Sequence, residues 1–125
     1  MAEVKFYRCN HCGNIVLVVK DGGVTPHCCG EEMELLAAGA IDAAVEKHVP
    51  AVTLEGDTVI ARVGSVDHPM LPEHYIEWIA FADGTKVAVK YLNPGDAPEA
   101  TFRKTGEDAV VYAYCNLHGL WKADC

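Results

Sequence analysis

The hydrophobic residues beyond position 50 fall into short runs, and a turn sequence ends each run. Glycine, aspartate, asparagine and proline occupy the gaps, which recur about every ten residues. Apolar and β-branched runs between such turns predict antiparallel strands packed as a sandwich. The six predicted strands are 51–55, 58–63, 75–82, 86–92, 100–104 and 109–114. No longer stretch has helical periodicity, and only residues 41–47 are expected to form one helical turn.

The third predicted strand alternates between two faces, as a half-buried strand does. This alternation predicts that Ile76, Trp78 and Ala80 share one face of the sheet. We expect Ile79 and Phe81 on the opposite face. The pattern therefore divides the apolar residues of this strand between two different environments.

The segment 4–36 has a different pattern, with one β-branched run and closely spaced turn residues. Residues 15–19 predict a strand, Asp21-Gly22-Gly23 predicts a turn, and residues 24–25 predict a short return strand. Chains below about 40 residues bury too little apolar surface to fold alone and usually need a metal or cross-links. The segment is therefore expected to depend on its cysteines for stability.

Length and composition support an ordered globular protein. The chain has 125 residues, of which 50% are hydrophobic and 22% charged, a balance typical of folded domains. The small residues at 37–40 are typical of a linker between two such domains. We predict a small metal-stapled domain over 1–37 and a second domain over 40–125.

The charge and the cysteines limit the functional classes. A formal net charge of −8 argues against nucleic-acid binding, which requires neutralisation of phosphates. No apolar stretch predicts a membrane span and no export signal is visible at the start, so we expect a cytoplasmic protein without a membrane partner. Six cysteines in a reducing compartment are more often metal ligands or redox groups than disulfides.

Four cysteines form the first candidate metal site. The pair Cys9 and Cys12 has the spacing of a metal-binding turn, and Cys28 and Cys29 follow after fifteen intervening residues. Four thiolates suit a tetrahedral zinc or iron ion, and the spacing does not separate the two metals. Adjacent ligands are unusual, and we expect the Cys28–Cys29 pair to distort the tetrahedron.

Four histidines and a cysteine form the second candidate set. They are His48, His68, His74, Cys115 and His118, and each histidine lies at a predicted strand end or in a loop. Five candidate ligands exceed the four of a closed structural zinc site. Imidazole and thiolate ligands together favour a redox-active ion.

Taken together, the two sets resemble the desulfoferrodoxin family, the two-iron superoxide reductases. The N-terminal cysteines resemble the desulforedoxin-like domain of that family. The second set resembles its catalytic domain through four phrases in the same order: Glu-Lys-His-Val-Pro at 46–50, His-Pro-Met at 68–70, Glu-His-Tyr at 73–75 and Cys-Asn-Leu-His at 115–118. The resemblance spans nearly the whole chain.

The resemblance implies a mainly β protein with a desulforedoxin-like domain followed by an immunoglobulin-like antiparallel β-sandwich. It implies two iron ions per chain, one held by the four N-terminal cysteines and one by the four histidines with Cys115 as the axial ligand. It also implies reduction of superoxide to hydrogen peroxide, an external electron donor such as rubredoxin, and a homodimer. Lys47 is expected to attract superoxide, and Glu46 to close onto the oxidised iron after the product leaves.

Two other functions stay open at this stage. One is a non-catalytic iron protein that only transfers electrons, and the other is a zinc-stapled binding module. Three smaller expectations concern single residues. Asn116 is a candidate hydrogen-bond donor to the Cys115 sulfur, Trp121 is expected in the core rather than at the site, and Cys125 is expected to be a free thiol at a frayed terminus.

Overall fold

The computed structural model describes residues 3–125, which divide into two compact units. One unit is Val4–Ala37, and the other comprises Ala38–Cys125 together with Glu3. The strands of both units pair in antiparallel fashion. Within the described residues, no helix is long and apolar enough to cross a membrane.

The Val4–Ala37 unit contains five very short strands. They are β1 (Phe6–Arg8), β2 (Ile15–Leu17), β3 (His27–Cys28), β4 (Glu31–Glu32) and β5 (Glu34–Leu35). Strand β1 pairs with β2 and β5, and β3 pairs with β4. A minimal core of Tyr7, Cys9 and Met33 lies inside. With so little apolar burial, the unit has few contacts besides its thiols to stabilise it.

The predicted strands of this unit are longer than the observed ones. The strand expected over 15–19 ends at Leu17, and residues 24–25 lie outside any strand. Val19 and Val24 are 92% and 79% exposed, so neither side chain packs in a way that would stabilise a paired strand.

The larger unit contains one helical turn and seven strands. They are α1 (Val45–His48), β6 (Pro50–Glu55), β7 (Thr58–Val63), β8 (Ile76–Ala82), β9 (Val87–Tyr91), β10 (Glu99–Arg103), β11 (Val110–Cys115) and β12 (Gly119–Asp124). One sheet has the order β10-β7-β6 and the other β12-β11-β8-β9. Fully buried side chains of both sheets form one core, in which Phe81 stacks on Phe102 at 5.2 Å between ring centroids. The predicted β-sandwich is confirmed.

Two strand predictions need correction. Strand β12 was not among the six predicted strands, because it directly follows the Cys115–His118 motif and carries charged residues towards the end of the chain. In addition, Ile76 lies in the core with Ile79 and Phe81, not on the face of Trp78. A β-bulge shifts the register of β8 against β11 between Tyr114 and Cys115, so the alternation changes phase there.

The terminus is also more ordered than expected. Cys125 is half-buried and packs against the core of the larger unit. Its backbone N–H donates to the Ala109 carbonyl at 2.9 Å, and the Lys104 ammonium donates to its terminal oxygen at 3.1 Å. Cys125 is a free thiol, but the prediction that it is frayed was wrong.

Candidate metal centres

Four thiols converge in the Val4–Ala37 unit: Cys9, Cys12, Cys28 and Cys29. Their sulfur atoms all lie within 4.8 Å of one another, and none of them forms a disulfide. The turn that carries the first pair closes through a hydrogen bond from the Gly13 N–H to the Cys9 carbonyl at 2.9 Å. Gly13 has a φ of +82°, which favours glycine at this position.

Backbone conformation resolves the difficulty of the adjacent cysteines. Cys29 has a φ of +54°, in the left-handed region that non-glycine residues rarely adopt. The chain therefore turns sharply there, and the Cys28 and Cys29 sulfurs lie 3.9 Å apart. The Cys12 and Cys28 sulfurs lie 3.6 Å apart. Thiolates around a tetrahedral ion at about 2.3 Å are about 3.8 Å apart, so this cluster fits one.

Hydrogen bonding divides the thiols by acidity. The Cys12 N–H donates to the Cys9 sulfur at 3.5 Å and lowers the pKa of Cys9 to about 6. Hydrogen bonding with Cys9 raises the pKa of Cys29 to about 12. The metal-free cluster therefore retains protons that a metal ion must displace.

Four imidazole rings form a square in the larger unit, which we call the imidazole square: His48, His68, His74 and His118. Neighbouring rings have centroids 4.6–5.1 Å apart and planes 77–89° apart. The diagonal pair, His48 and His74, is separated by 6.4 Å with planes only 27° apart. Such an arrangement points one nitrogen of each ring towards a common centre.

The nitrogen positions in the square fit a bound cation. The Nδ1 atoms of His48 and His68 each donate to a backbone carbonyl at 2.7 Å, so their Nε2 atoms carry lone pairs. Those two Nε2 atoms face each other at 3.1 Å, as do His48 Nε2 and His118 Nδ1. Two imidazole ligands at right angles, each about 2.1 Å from a metal, are about 3.0 Å apart.

A further sign of a ligand is the orphaned nitrogen of His74. Its Nε2 is buried and has no hydrogen-bond partner among residues 3–125. Burial lowers the pKa of His48, His68 and His74, and that of His68 reaches about 4. The three rings are therefore neutral at pH 7, the state in which imidazole binds metals.

Cys115 completes the set from the side of the core. It is fully buried, and its sulfur lies 3.8 Å from His118 Nδ1 and within 4.8 Å of the ligand atoms of His48, His68 and His74. Burial raises the pKa of the Cys115 thiol, while hydrogen bonds from the backbone N–H groups of Leu117 and His118 oppose the shift. A bound cation would hold the thiolate form.

The ligands come from segments that hydrogen bonds fix to the two sheets. Helical turn α1, which carries His48, is held where Val66 N–H and the Ser65 hydroxyl donate to the Glu46 carbonyl, at 2.9 and 3.2 Å. The His68 N–H donates to the carbonyl of Val63, at the end of β7. Cys115 and His118 belong to the β11–β12 hairpin, whose three-residue turn is followed by Gly119 with a φ of +75°.

Trp121 lies beside the site as well as in the core, where the sequence analysis expected it. Its ring lies 5.0 Å from the His48 ring, and its Nε1 donates to the His118 carbonyl at 3.0 Å. Trp121 is buried, as predicted, yet it contacts one ligand and hydrogen-bonds the backbone of another. Aromatic packing against imidazole orients the ring and excludes water.

Glu46 and Lys47 are both exposed on α1, next to the square. Burial and the neighbouring imidazole rings lower the pKa of both His48 and His74, and the Lys47 charge lowers it further. Its field therefore reaches two opposite corners of the square. The structure brings the nine predicted ligands together in two clusters and places both predicted catalytic residues beside the second.

Comparison with known proteins gives the same assignment. The family model described as desulfoferrodoxin matches residues 40–124, and that of the desulfoferrodoxin N-terminal domain matches residues 2–36. The chain belongs to the desulfoferrodoxin family. The resemblance stated from the sequence motifs is thereby confirmed.

Individual relatives match either nearly the whole chain or a part of it. A desulfoferrodoxin of Nitratidesulfovibrio vulgaris is 49% identical over 98% of this chain and 97% of its own. A superoxide reductase of Thermococcus kodakarensis is 38% identical over 62% of this chain and 84% of its own. The crystal structure of the superoxide reductase from Treponema pallidum is similar, with a TM-score of 0.76, 35% identity, and coverage of 97% of this chain and 98% of that one.

Proposed function

We propose that this chain is a superoxide reductase. The reaction combines one superoxide, one electron and two protons to give hydrogen peroxide, with the electron supplied by an external donor such as rubredoxin. The imidazole square and Cys115 would hold iron, and iron there would supply one-electron redox chemistry and a position for the substrate. The supporting observation is the square itself, in which four imidazoles surround one centre with a buried thiol beside it.

The number and type of ligands favour catalysis over a structural role. A structural zinc site closes with four ligands, whereas five ligands leave one position of an octahedral ion free. His48, His68 and His74 are neutral at pH 7 because burial lowers the pKa of each. Cys115 is therefore the one negatively charged ligand that the site offers to a divalent ion. The ion with its ligands would keep a net positive charge, which attracts an anion.

Residues outside the ligand set guide the substrate. Superoxide is an anion and the chain carries a formal charge of −8, so capture needs a local positive field. Lys47 supplies it, being exposed on α1 directly before His48. Glu46 on the same turn offers a carboxylate, a ligand that prefers the harder oxidised ion. We assign Glu46 to the resting oxidised site and Lys47 to substrate capture.

The remaining assignments complete the proposal. We assign residues 1–37 to a four-cysteine iron domain and 40–125 to the catalytic domain. Sulfur spacings of 3.6 and 3.9 Å support a tetrahedral ion in the first domain. The rubredoxin-type donor, the homodimer and the cytoplasmic location rest on the family resemblance and on the sequence features given above.

Rapid mixing of the reduced iron-loaded chain with superoxide tests this function. We expect superoxide to disappear faster than it dismutates spontaneously, with one hydrogen peroxide formed per electron consumed and no oxygen released. Loss of superoxide at only the spontaneous rate would instead favour a non-catalytic electron-transfer protein. Zinc in both sites of protein from its native source would favour a binding module.

A further inference from the structure

Asn116 joins two ligand-bearing segments that are distant in sequence. Its side-chain Oδ1 accepts a hydrogen bond from the Tyr75 N–H at 2.9 Å, and its Nδ2 donates to the Glu73 carbonyl at 3.0 Å. Its own backbone N–H donates to the Tyr75 carbonyl at 3.2 Å. One residue of the Cys115–His118 turn thus holds the main chain on both sides of His74.

Both polar atoms of the Asn116 side-chain amide are occupied by hydrogen bonds to the segment that carries His74. The sequence suggested a bond to the Cys115 sulfur from either the backbone or the side chain of Asn116, but its side-chain oxygen and nitrogen and its backbone N–H all bind the backbone flanking His74. The His74 backbone is also fixed, since its N–H and carbonyl pair with Leu71 at 3.1 and 2.9 Å. Every backbone polar group from the Glu73 carbonyl to the Tyr75 carbonyl is therefore bonded.

His74 needs this support more than His48 and His68 do. The rings of His48 and His68 are oriented by their own Nδ1–H bonds to the carbonyls of Ala44 and Pro69. No hydrogen bond from the described part of the chain reaches the His74 ring, and its Nε2 is buried without a partner. The position of this ring is therefore set through its main chain.

We propose that Asn116 is the positioning residue for His74, in place of the ring hydrogen bond that orients His48 and His68. Asn116 holds the His74 segment in fixed register with the turn that carries Cys115 and His118. Three of the five proposed ligands are thereby preassembled before metal binds. This role deepens the proposed function and rests on it only for its effect on turnover, because preassembly also governs binding of a redox-inert metal.

Titration of the full-length metal-free chain with Co²⁺ against a competing chelator tests the proposal. Absorption bands of Co²⁺ distinguish the nitrogen-rich square from the four-thiolate cluster. We expect Asn116→Ala to weaken binding at the square by about 10- to 100-fold, as loss of an outer-shell partner does. The four-thiolate cluster of the same chain serves as an internal control and should bind Co²⁺ as in the parent.

A second control separates positioning from general destabilisation. Phe102→Leu removes a stacked ring from the core and is expected to lower the melting temperature while leaving Co²⁺ affinity at the square unchanged. In the Zn²⁺ form, ¹⁵N NMR of the histidine rings should show a displaced or broadened His74 signal in Asn116→Ala, with those of His48 and His68 preserved.

Several outcomes would overturn the positioning role. One is an Asn116→Ala chain with parental Co²⁺ affinity and an unchanged His74 signal. If that variant does not fold, Asn116→Ser loses the same two side-chain bonds and should give the same loss. In the metal-free parent, rapid exchange of the Tyr75 amide proton would also contradict the tether. A parent that binds Co²⁺ in the square but does not reduce superoxide contradicts the proposed function alone.

Discussion

The backbone of Glu46 lies directly against Gly64. A Cβ atom at position 64 would lie 2.6 Å from the Glu46 carbonyl oxygen and 2.9 Å from that of Val49. Both approaches are closer than real Cβ contacts, and both involve backbone atoms of α1 or its end. Glycine at this position therefore determines how closely α1, with Lys47 and His48, can pack on the loop after β7.

We predict that Gly64→Ala displaces α1 and damages the site. Relief of the overlap should cost about 1–3 kcal/mol of stability and move His48 away from the square. The melting temperature and the Co²⁺ affinity of the square should both fall. Gly22→Ala is the matched control, because no atom lies within 4 Å of a Cβ there. Equal behaviour of the two variants would show that α1 tolerates the shift.

The proposed Cys115 ligand gives a second prediction. Cys115→Ser should abolish the charge-transfer colour of the oxidised second site and most of the reaction with superoxide, even where iron is retained. Visible spectra with iron analysis and rapid mixing measure both. Cys125→Ser changes the other cysteine of the larger unit and should preserve colour and rate. A fully active Cys115→Ser chain would refute the five-ligand assignment.

Steering by Lys47 gives a third prediction. Lys47→Ile should slow the second-order reaction with superoxide and flatten its dependence on salt, because the positive field at the site weakens. Glu46→Ala should leave this step nearly unchanged and alter only the resting oxidised spectrum. Rates measured across a salt series decide both.

Lys86→Ile is the control for the charge change. His74 lies just before the first residue of β8, whereas Lys86 comes after its last residue. About 20 Å of strand therefore separates Lys86 from the site. That distance exceeds the screening length of about 8 Å at physiological salt. An equal loss of rate in both variants would mean that net charge, and not a charge beside the site, controls capture.

The four-thiolate cluster gives a fourth prediction. Cys28→Ser should remove the first metal and loosen the Val4–Ala37 unit, whose buried apolar residues are few: Phe6, Tyr7, Cys9 and Met33. Superoxide reduction should persist, because the second ligand set lies entirely in the other unit. Amide exchange and rapid mixing check the two halves of the prediction. Loss of the fast reaction with the second iron retained would show that the two sites are coupled.

A buried carboxylate outside both sites gives a fifth prediction. Asp83 is 3% exposed and accepts hydrogen bonds from the backbone and hydroxyl groups of Thr85 and Thr105 and from the Gly106 N–H. These donors outweigh burial and hold the pKa of Asp83 far below its ordinary value. The carboxylate joins the β8–β9 turn to the loop after β10.

The sign of the pH effect follows from that shift. The folded pKa lies below the unfolded value of about 3.9, so the stabilisation is complete above about pH 5 and is lost progressively as the pH falls further. Asp83→Asn turns an amide group towards backbone donors and should cost about 3 kcal/mol at pH 7. Urea unfolding of parent and variant at pH 7 and pH 3 measures this stability difference. A stability difference between variant and parent that stays constant down to pH 3 would contradict the assignment.

The sequence predicted the sandwich and both ligand sets, because strand alternation and ligand spacing are local signals. Prediction from the sequence failed for features that depend on contacts between distant segments. The bulge that moves Ile76 into the core depends on the register of β8 against β11. The bonds of Asn116 to Glu73 and Tyr75 join segments more than 40 residues apart. No local pattern marks either feature, nor the close approach of α1 to Gly64.

The order of the ligands along the chain separates the two metal sites in time during synthesis. All four thiols are present once Cys29 has been added, whereas the imidazole square requires His118. At about 5–20 residues per second, a ribosome completes the first set several seconds before the second. A nascent chain can thus have a complete thiol cluster while the imidazole square does not yet exist, because the square is complete only when the β11–β12 hairpin brings His118 to the other three rings.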